Sequence, residues 1–471
     1  MSSLPGAAVH SPRISTSAPI PRVKVDTPLP YRRQVISLRT DRTAERPTLP
    51  ASAIAHVMSL LETRSPSLPE WFEVAEAYRY VAPAPTVPAL MEAARTYLEH
   101  REALLRLAGP RGQYLADHNP AWAQLRRVGS RRDELWLSPD PDDRLAWFDY
   151  IRTVDPALAT EELDIAWDNE PADLRREFLS RLSVGLGEHD YDILERGLDD
   201  PSPPVRERSI QLLRQLPESP FAERMATRAH TWVRLETKPL RPRLVIRLPG
   251  SLDDKAPRDG IEDVGAQYKG IGKWWLRQVV TATPLALWEA MIGSPHNVLR
   301  IPIEKQWHEV MTESWTAATV LQKNPAWASA LLERDGRNTD RRVVAIAHPR
   351  ERIAYILAGH ADSYLLGVDG SALLDGIDRP WPLAIAHKLV SALECEAAKH
   401  AASGEELGIH SRHSHYSTLR SAQARFPLEA GALLLDAAER TASTDWQRAF
   451  TETAAHIEAR RIRLDVLRGG Q

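Results

Sequence analysis

The sequence predicts an all-α protein made of short helix pairs stacked side by side, an α-solenoid. Three observations predict it. Apolar residues recur at three- and four-residue spacing along most of the chain, as at Ile54, Val57, Met58 and Leu61, or Leu90, Ala94, Tyr97 and Leu98. Many of the 36 prolines sit where a helix would begin. A stretch near the middle repeats itself after 31 residues. The 471 residues allow two to four compact domains or one long array, and the hydrophobic share of 43% suits a folded chain.

Residues 1–50 read as a disordered Pro/Arg-rich tail. They hold eight prolines and eight basic against three acidic side chains, with too little apolar area to offset ordering entropy. Residues 51–232 read as N-terminal helical repeats. Their helices open with a proline in or near the first turn, as in Ser67-Leu68-Pro69-Glu70, Asn119-Pro120 and Asp155-Pro156; Thr283-Pro284 repeats the device further on. A proline there loses no helical hydrogen bond, because that N–H is unpaired in any case. Asn119-Pro120-Ala121-Trp122-Ala123 returns as Asn324-Pro325-Ala326-Trp327-Ala328, a shared device of cap, proline and packing tryptophan.

The repeat lies at 157–216. A shift of 31 residues carries Leu163 onto Leu194, Trp167 onto Leu198, Asp168 onto Asp199, Leu174 onto Val205, Arg175 onto Arg206, Leu179 onto Ile210 and Leu182 onto Leu213. Each copy is a helix, an acidic Pro-containing turn, and a second helix opening on an apolar-Arg pair. Neither pair buries its apolar face alone, so each must stack on a neighbour. The unit resembles a HEAT-type repeat.

Residues 233–272 break the helical pattern and read as a linker or hairpin insertion. Leu244, Val245, Ile246 and Leu248 suit a short strand, and the glycines after Pro249 mark turns. Residues 273–471 read as C-terminal helical repeats. They start at Trp274-Trp275, are interrupted by a glycine-rich loop at 366–380, and continue in helices at about 381–401, 427–440 and 444–467. The charged last helix suits the terminal cap of a solenoid.

Chemistry is sparse. The balance of 60 basic and 63 acidic side chains excludes a general cationic coat for nucleic acid. The one cysteine, Cys395, excludes a disulfide framework and reads as a small buried residue. Gly270-Ile271-Gly272-Lys273 fails as a phosphate loop, because Trp274 follows the lysine. His410, His413 and His415 cluster without the spacing of a zinc site, and Asp140, Asp142 and Asp143 suit a helix N-terminus. No catalytic residue, metal site or cofactor is predicted, and no apolar run reaches membrane-spanning length. A reducing cytoplasmic setting is the default expectation.

The residues singled out for binding are Trp274, Trp275, Arg277, Lys273, Lys269 and Trp315. Tryptophans among cations hold single strands or flipped bases in some proteins and protein hot spots in others. Inter-helix packing explains the same residues.

Past about residue 100 the chain resembles an uncharacterised bacterial family of HEAT-like helical proteins. The resemblance is carried by Leu107-Ala108-Gly109-Pro110-Arg111-Gly112, by Asn119-Pro120-Ala121-Trp122, and by the repeat through Leu216-Pro217 and Arg224-Met225. It continues in Trp274-Trp275-Leu276-Arg277-Gln278 and in Trp315 with Asn324-Pro325-Ala326-Trp327-Ala328. It implies partners among MoxR-type AAA ATPases, von Willebrand A-domain (VWA) proteins and SWIM zinc-finger proteins. The expected function is a non-enzymatic scaffold for a protein partner within such a remodelling or defence system. The alternative is a HEAT-like DNA-binding protein, or an enzyme resembling a base glycosylase, with an aromatic and basic groove.

Overall fold

The computed structural model describes residues 46–125, 135–237, 241–263, 270–403 and 409–469. Within them the protein is all-α, with one two-stranded antiparallel hairpin, Val233–Glu236 with Arg243–Ile246. Of the expected disordered tail, residues 1–45 lie outside this description. Its end is ordered: Leu49 donates to the Val81 carbonyl at 2.8 Å, Val81 donates to that of Pro47 at 3.0 Å, and the Leu49 side chain is buried.

The proline-marked starts form as their chemistry requires. Asp155 Oδ1 accepts from the Leu158 N–H at 3.1 Å and opens Pro156–Ala166. Asn324 Oδ1 accepts from the Trp327 N–H at 3.1 Å and opens Pro325–Asp335. Asn119 caps in the same manner through the Ala121 N–H at 3.0 Å, although only a 3-10 helix, Pro120–Leu125, follows.

Three second helices pack in series: Pro141–Val154 on Ala172–Arg181, and that on Pro203–Leu213. Their contacts repeat with the chain. Arg175 Nη1 donates to the Glu170 carbonyl at 2.5 Å, and 31 residues on Arg206 Nη1 donates to the Pro201 carbonyl at 3.0 Å. The spacing also extends backward. Arg144 lies 4.9 Å from the ring of Trp136, as Arg175 lies 5.6 Å from the ring of Trp167. Arg144 pairs with Glu170 and Arg175 with Asp200, so each arginine ties its unit to the next acidic turn.

The apolar core falls into three large clusters. One runs through 49–125, one through 136–327 and one through 344–457; Ala328, Leu331, Val343 and Ala347 bridge the last two. Residues 233–272 do not interrupt the middle cluster: Val233, Leu244, Ile246, Ala256 and Ile261 belong to it. The first two clusters meet where the Tyr150 hydroxyl donates to Glu102 at 2.9 Å and the Arg101 guanidinium lies 4.6 Å from the Tyr150 ring. Burial, then the Glu102 carboxylate, pushes the Tyr150 hydroxyl up to about 12.

The circuit then closes. The last helix, Thr444–Arg468, is not an open cap: it packs on the first two, Ala51–Glu62 and Leu68–Ala77. Its apolar stripe recurs at three- and four-residue steps, Phe450, Ile457, Leu464 and Leu467 among it, and Leu467 joins the N-terminal core. Arg460 donates to Glu70 at 2.5 and 2.9 Å and to the Phe426 carbonyl at 2.6 Å. Tyr80 donates its hydroxyl to the Leu467 carbonyl at 2.8 Å.

Two other expectations change. The glycine-rich stretch 366–380, read as a loop, contains the helix Val368–Asp375. Gly370 belongs inside it because any Cβ there would strike the Leu365 carbonyl, so this glycine marks close packing. Cys395 is exposed on Leu383–Ser403, one helical position away from the buried face that carries Leu393 and Ala397.

A charge network fixes the segment after the hairpin. Asp259, whose side chain is 0% exposed, accepts from Arg224 at 2.7 Å and from Arg228 at 2.7 Å. Arg228 also binds Asp253 at 2.8 Å, and Arg258 binds Asp199 at 2.7 Å and Glu195 at 3.2 Å. Removing Asp259 leaves two arginines short of a buried counter-charge. Asp259→Ala is expected to lower the unfolding free energy in urea by about 3 kcal/mol. A loss below about 1 kcal/mol would show that the network contributes little.

Candidate functional site

The residues picked out by sequence do not share one surface. Trp315 is 1% exposed, with its ring centroid 5.7 Å from that of Trp288 and 6.2 Å from that of Trp327. Trp275 is 6% exposed and belongs to the same core. Trp274 is half-buried and packs against that core. Lys273 and Arg277 are exposed on Ile271–Ala282, where Arg277 pairs with Glu313. Lys269 lies outside the described residues. These tryptophans serve chiefly as packing between helices, the bland alternative for them. The side chains of His410, His413 and His415 also lie outside the description, although their backbone belongs to the helix Ile409–Arg425.

The structure draws attention instead to the hairpin and to two clefts beside it. Its register sets Arg234 opposite Val245 and Glu236 opposite Arg243. With a period of two, Arg234, Glu236, Arg243 and Arg247 share one face. Arg243 and Arg247 lie 3.0 and 3.8 Å from Glu236, as that placement requires. The other face, Val233, Leu244 and Ile246, enters the core. Beyond it, Leu244 donates to the Pro302 carbonyl at 2.9 Å, which seats the hairpin on the segment after the helix Pro295–Arg300.

The seam between hairpin and helix opens into a cleft of about 450 Å3. Leu235, Ile292 and Ile301 make it apolar, Pro242 and Pro302 border it, and Arg241, Asn297 and Arg300 supply its polar groups. Arg241 is exposed and makes no ion pair among the described residues.

A second cleft, of about 520 Å3, opens on the other side of Pro295–Arg300 and includes His296, Ser329, Glu333, Glu351, Tyr355 and His360. His296 Nε2 lies 2.8 Å from Glu333, which also takes Arg300 at 3.2 Å, so the Arg300–Glu333 pair stands between the two clefts. Ser329 donates to Glu351 at 2.5 Å, and Glu351 accepts from the His348 N–H at the start of Pro349–Leu357. Both carboxylates are thus engaged within the wall. Ser329 hydrogen-bonds a carboxylate, where an activated serine would need a base such as histidine. Among the described residues no group of three histidine, cysteine, aspartate or glutamate side chains is placed to hold a metal.

Sequence reasoning missed the hairpin arginines because their density is ordinary in a chain with 51 arginines and 9 lysines. The period-two placement of Arg243 and Arg247 beside a short apolar run was the available signal.

The fold and this surface define an all-α protein with a cationic hairpin docked on its helices. The chain belongs to a family of unknown function, DUF5691, whose model matches residues 26–466. Neither a curated protein nor a solved structure matches it. Among the described residues no helix is long and apolar enough to cross a membrane.

Proposed function

We propose that the chain is a non-enzymatic helical-repeat scaffold, a HEAT-like α-solenoid that binds a protein partner in the cytoplasm. The supporting observation is the recurrence of one arginine contact at residues 144, 175 and 206. Units joined that way stack in register, and stacked units offer an extended surface for recognition.

The repeats also carry a docking face in this reading. Leu137, Val154, Ile165 and Val184, four of the eleven exposed large apolar residues, fall within this one block. Val154 and Val184 flank the same buried side chain, Arg152, which donates to the Val184 carbonyl at 2.8 Å. Apolar groups gathered at one end of a stack suit a protein surface. The proposed partner class is the one implied by the resemblance: a MoxR-type AAA ATPase, a VWA protein or a SWIM protein.

The test is a tagged pull-down from the source cells, with nuclease, read by mass spectrometry. A stoichiometric ATPase or VWA protein that survives nuclease and is lost in Val154→Asp/Val184→Asp is the expected result. A chain recovered alone and monodisperse overturns the reading.

A further inference from the structure

We propose that the hairpin and the cleft at its base form a docking site for single-stranded nucleic acid, separate from the repeat face. The argument begins with charge. Arg234, Arg243 and Arg247 share the outward face of the hairpin, and Arg241 and Arg300 stand at the cleft. The acids that these five arginines contact are Glu236 and Glu333. Among the described residues Arg234 and Arg241 make no ion pair, although the whole chain carries a net charge of -3. Cations concentrated on one element of an acidic chain create a local field that the net charge conceals.

The chemistry of the cleft selects among anions. Its apolar residues, Leu235, Ile292 and Ile301, give a surface for one face of a base. Arg241 and Arg300 carry planar guanidinium groups, which bind phosphate bidentately and stack on bases. The Asn297 amide supplies both a donor and an acceptor for a base edge. A duplex keeps its bases stacked inside, so the cleft favours an unpaired strand. Arg243 and Arg247, about 13 Å apart along the strand at four steps of about 3.3 Å, would continue the backbone path beyond it. An acidic peptide would satisfy the arginines but leave the apolar cleft and the amide without a complementary group. The observations therefore favour the nucleic acid.

The probe is a fluorescein-labelled 20-nucleotide oligo(dT), read by anisotropy with the full chain at 50 mM salt and upward. The first variant is Arg241→Glu/Arg247→Glu, at two exposed side chains. Arg111→Glu, on the exposed side of Arg101–His118, is the charge-matched control. Circular dichroism verifies that both variants fold. Binding is expected to weaken as salt rises. The double variant should raise Kd at least tenfold and flatten the log–log salt slope by about 1.4, two contacts at about 0.7 each. The control should bind like the parent, and a 20-base-pair duplex should bind more weakly than the single strand. Absence of binding at 50 mM salt overturns the proposal, as does equal loss in Arg111→Glu. Displacement by poly-glutamate as effective as by unlabelled oligo(dT) also overturns it and would assign the hairpin to an acidic protein partner.

Discussion

Arg152→Met is expected to produce the largest loss of stability of any single substitution in the repeats, about 3–5 kcal/mol. Arg152 and Asp190 form an ion pair at 2.9 Å with both side chains 0% exposed. The guanidinium also donates to the carbonyls of Pro156, Leu182 and Val184 and to the Thr160 hydroxyl. One side chain thus gathers the ends of two helix pairs. Methionine fills much of the volume but leaves Asp190 charged, buried and short of its main counter-ion. Thr160 and the Gly187 N–H, which also donate to Asp190, do not replace a full positive charge. Urea unfolding of the variant should show the loss directly. The double variant Arg152→Met/Asp190→Leu should recover part of it, because no buried charge then stands alone. If the double variant equals the sum of the two singles, the pair is not coupled and the account fails.

Arg460→Met is expected to loosen the closure without unfolding the repeats. The Arg460 side chain is 3% exposed, and its partner Glu70 lies 390 positions away in the chain. Breaking the pair strands a mostly buried carboxylate, at a cost of about 2–3 kcal/mol after allowing for the part of Glu70 that solvent reaches. The loss should be local. Amide exchange should speed up in Ala51–Glu62, Leu68–Ala77 and Thr444–Arg468 while the helices at 141–232 keep their protection. Uniform acceleration along the chain would mean that the closure is not a separable unit. No change at all would mean that the apolar contacts of Leu467 and the Tyr80 hydrogen bond hold it without the ion pair.

The parts legible in the sequence were those set by neighbours in the chain. Proline after a capping residue marks a helix start whatever surrounds it, so Pro156–Ala166 and Pro325–Asp335 begin where the sequence places them. The copies around Arg175 and Arg206 show because both keep apolar residues in the same order. The earlier unit, with Trp136 and Arg144, escaped notice because Trp147 and Phe148 replace the smaller residues of its successors. What survives there is an arginine beside an aromatic ring, visible only once the contact is known. The helix Val368–Asp375 was hidden by Gly370, whose absent Cβ makes room for a carbonyl and thus looks like loop composition. The candidate site was hardly legible. Tryptophans stand out by rarity, but rarity does not distinguish a ring on a surface from one in a core, and Trp315 is in the core. The hairpin arginines acquire meaning from a register and a neighbouring helix that no local pattern encodes.

The docking of the last helix on the first two also orders events in time. During synthesis the first helices emerge hundreds of residues before Thr444–Arg468, the element that completes their core. Contacts between such distant positions form slowly, and apolar surface waiting for its cover is open to wrong partners. The middle units, whose contacts are mostly with near neighbours, can fold as they appear. The chain should therefore mature from its middle, with its two ends meeting last.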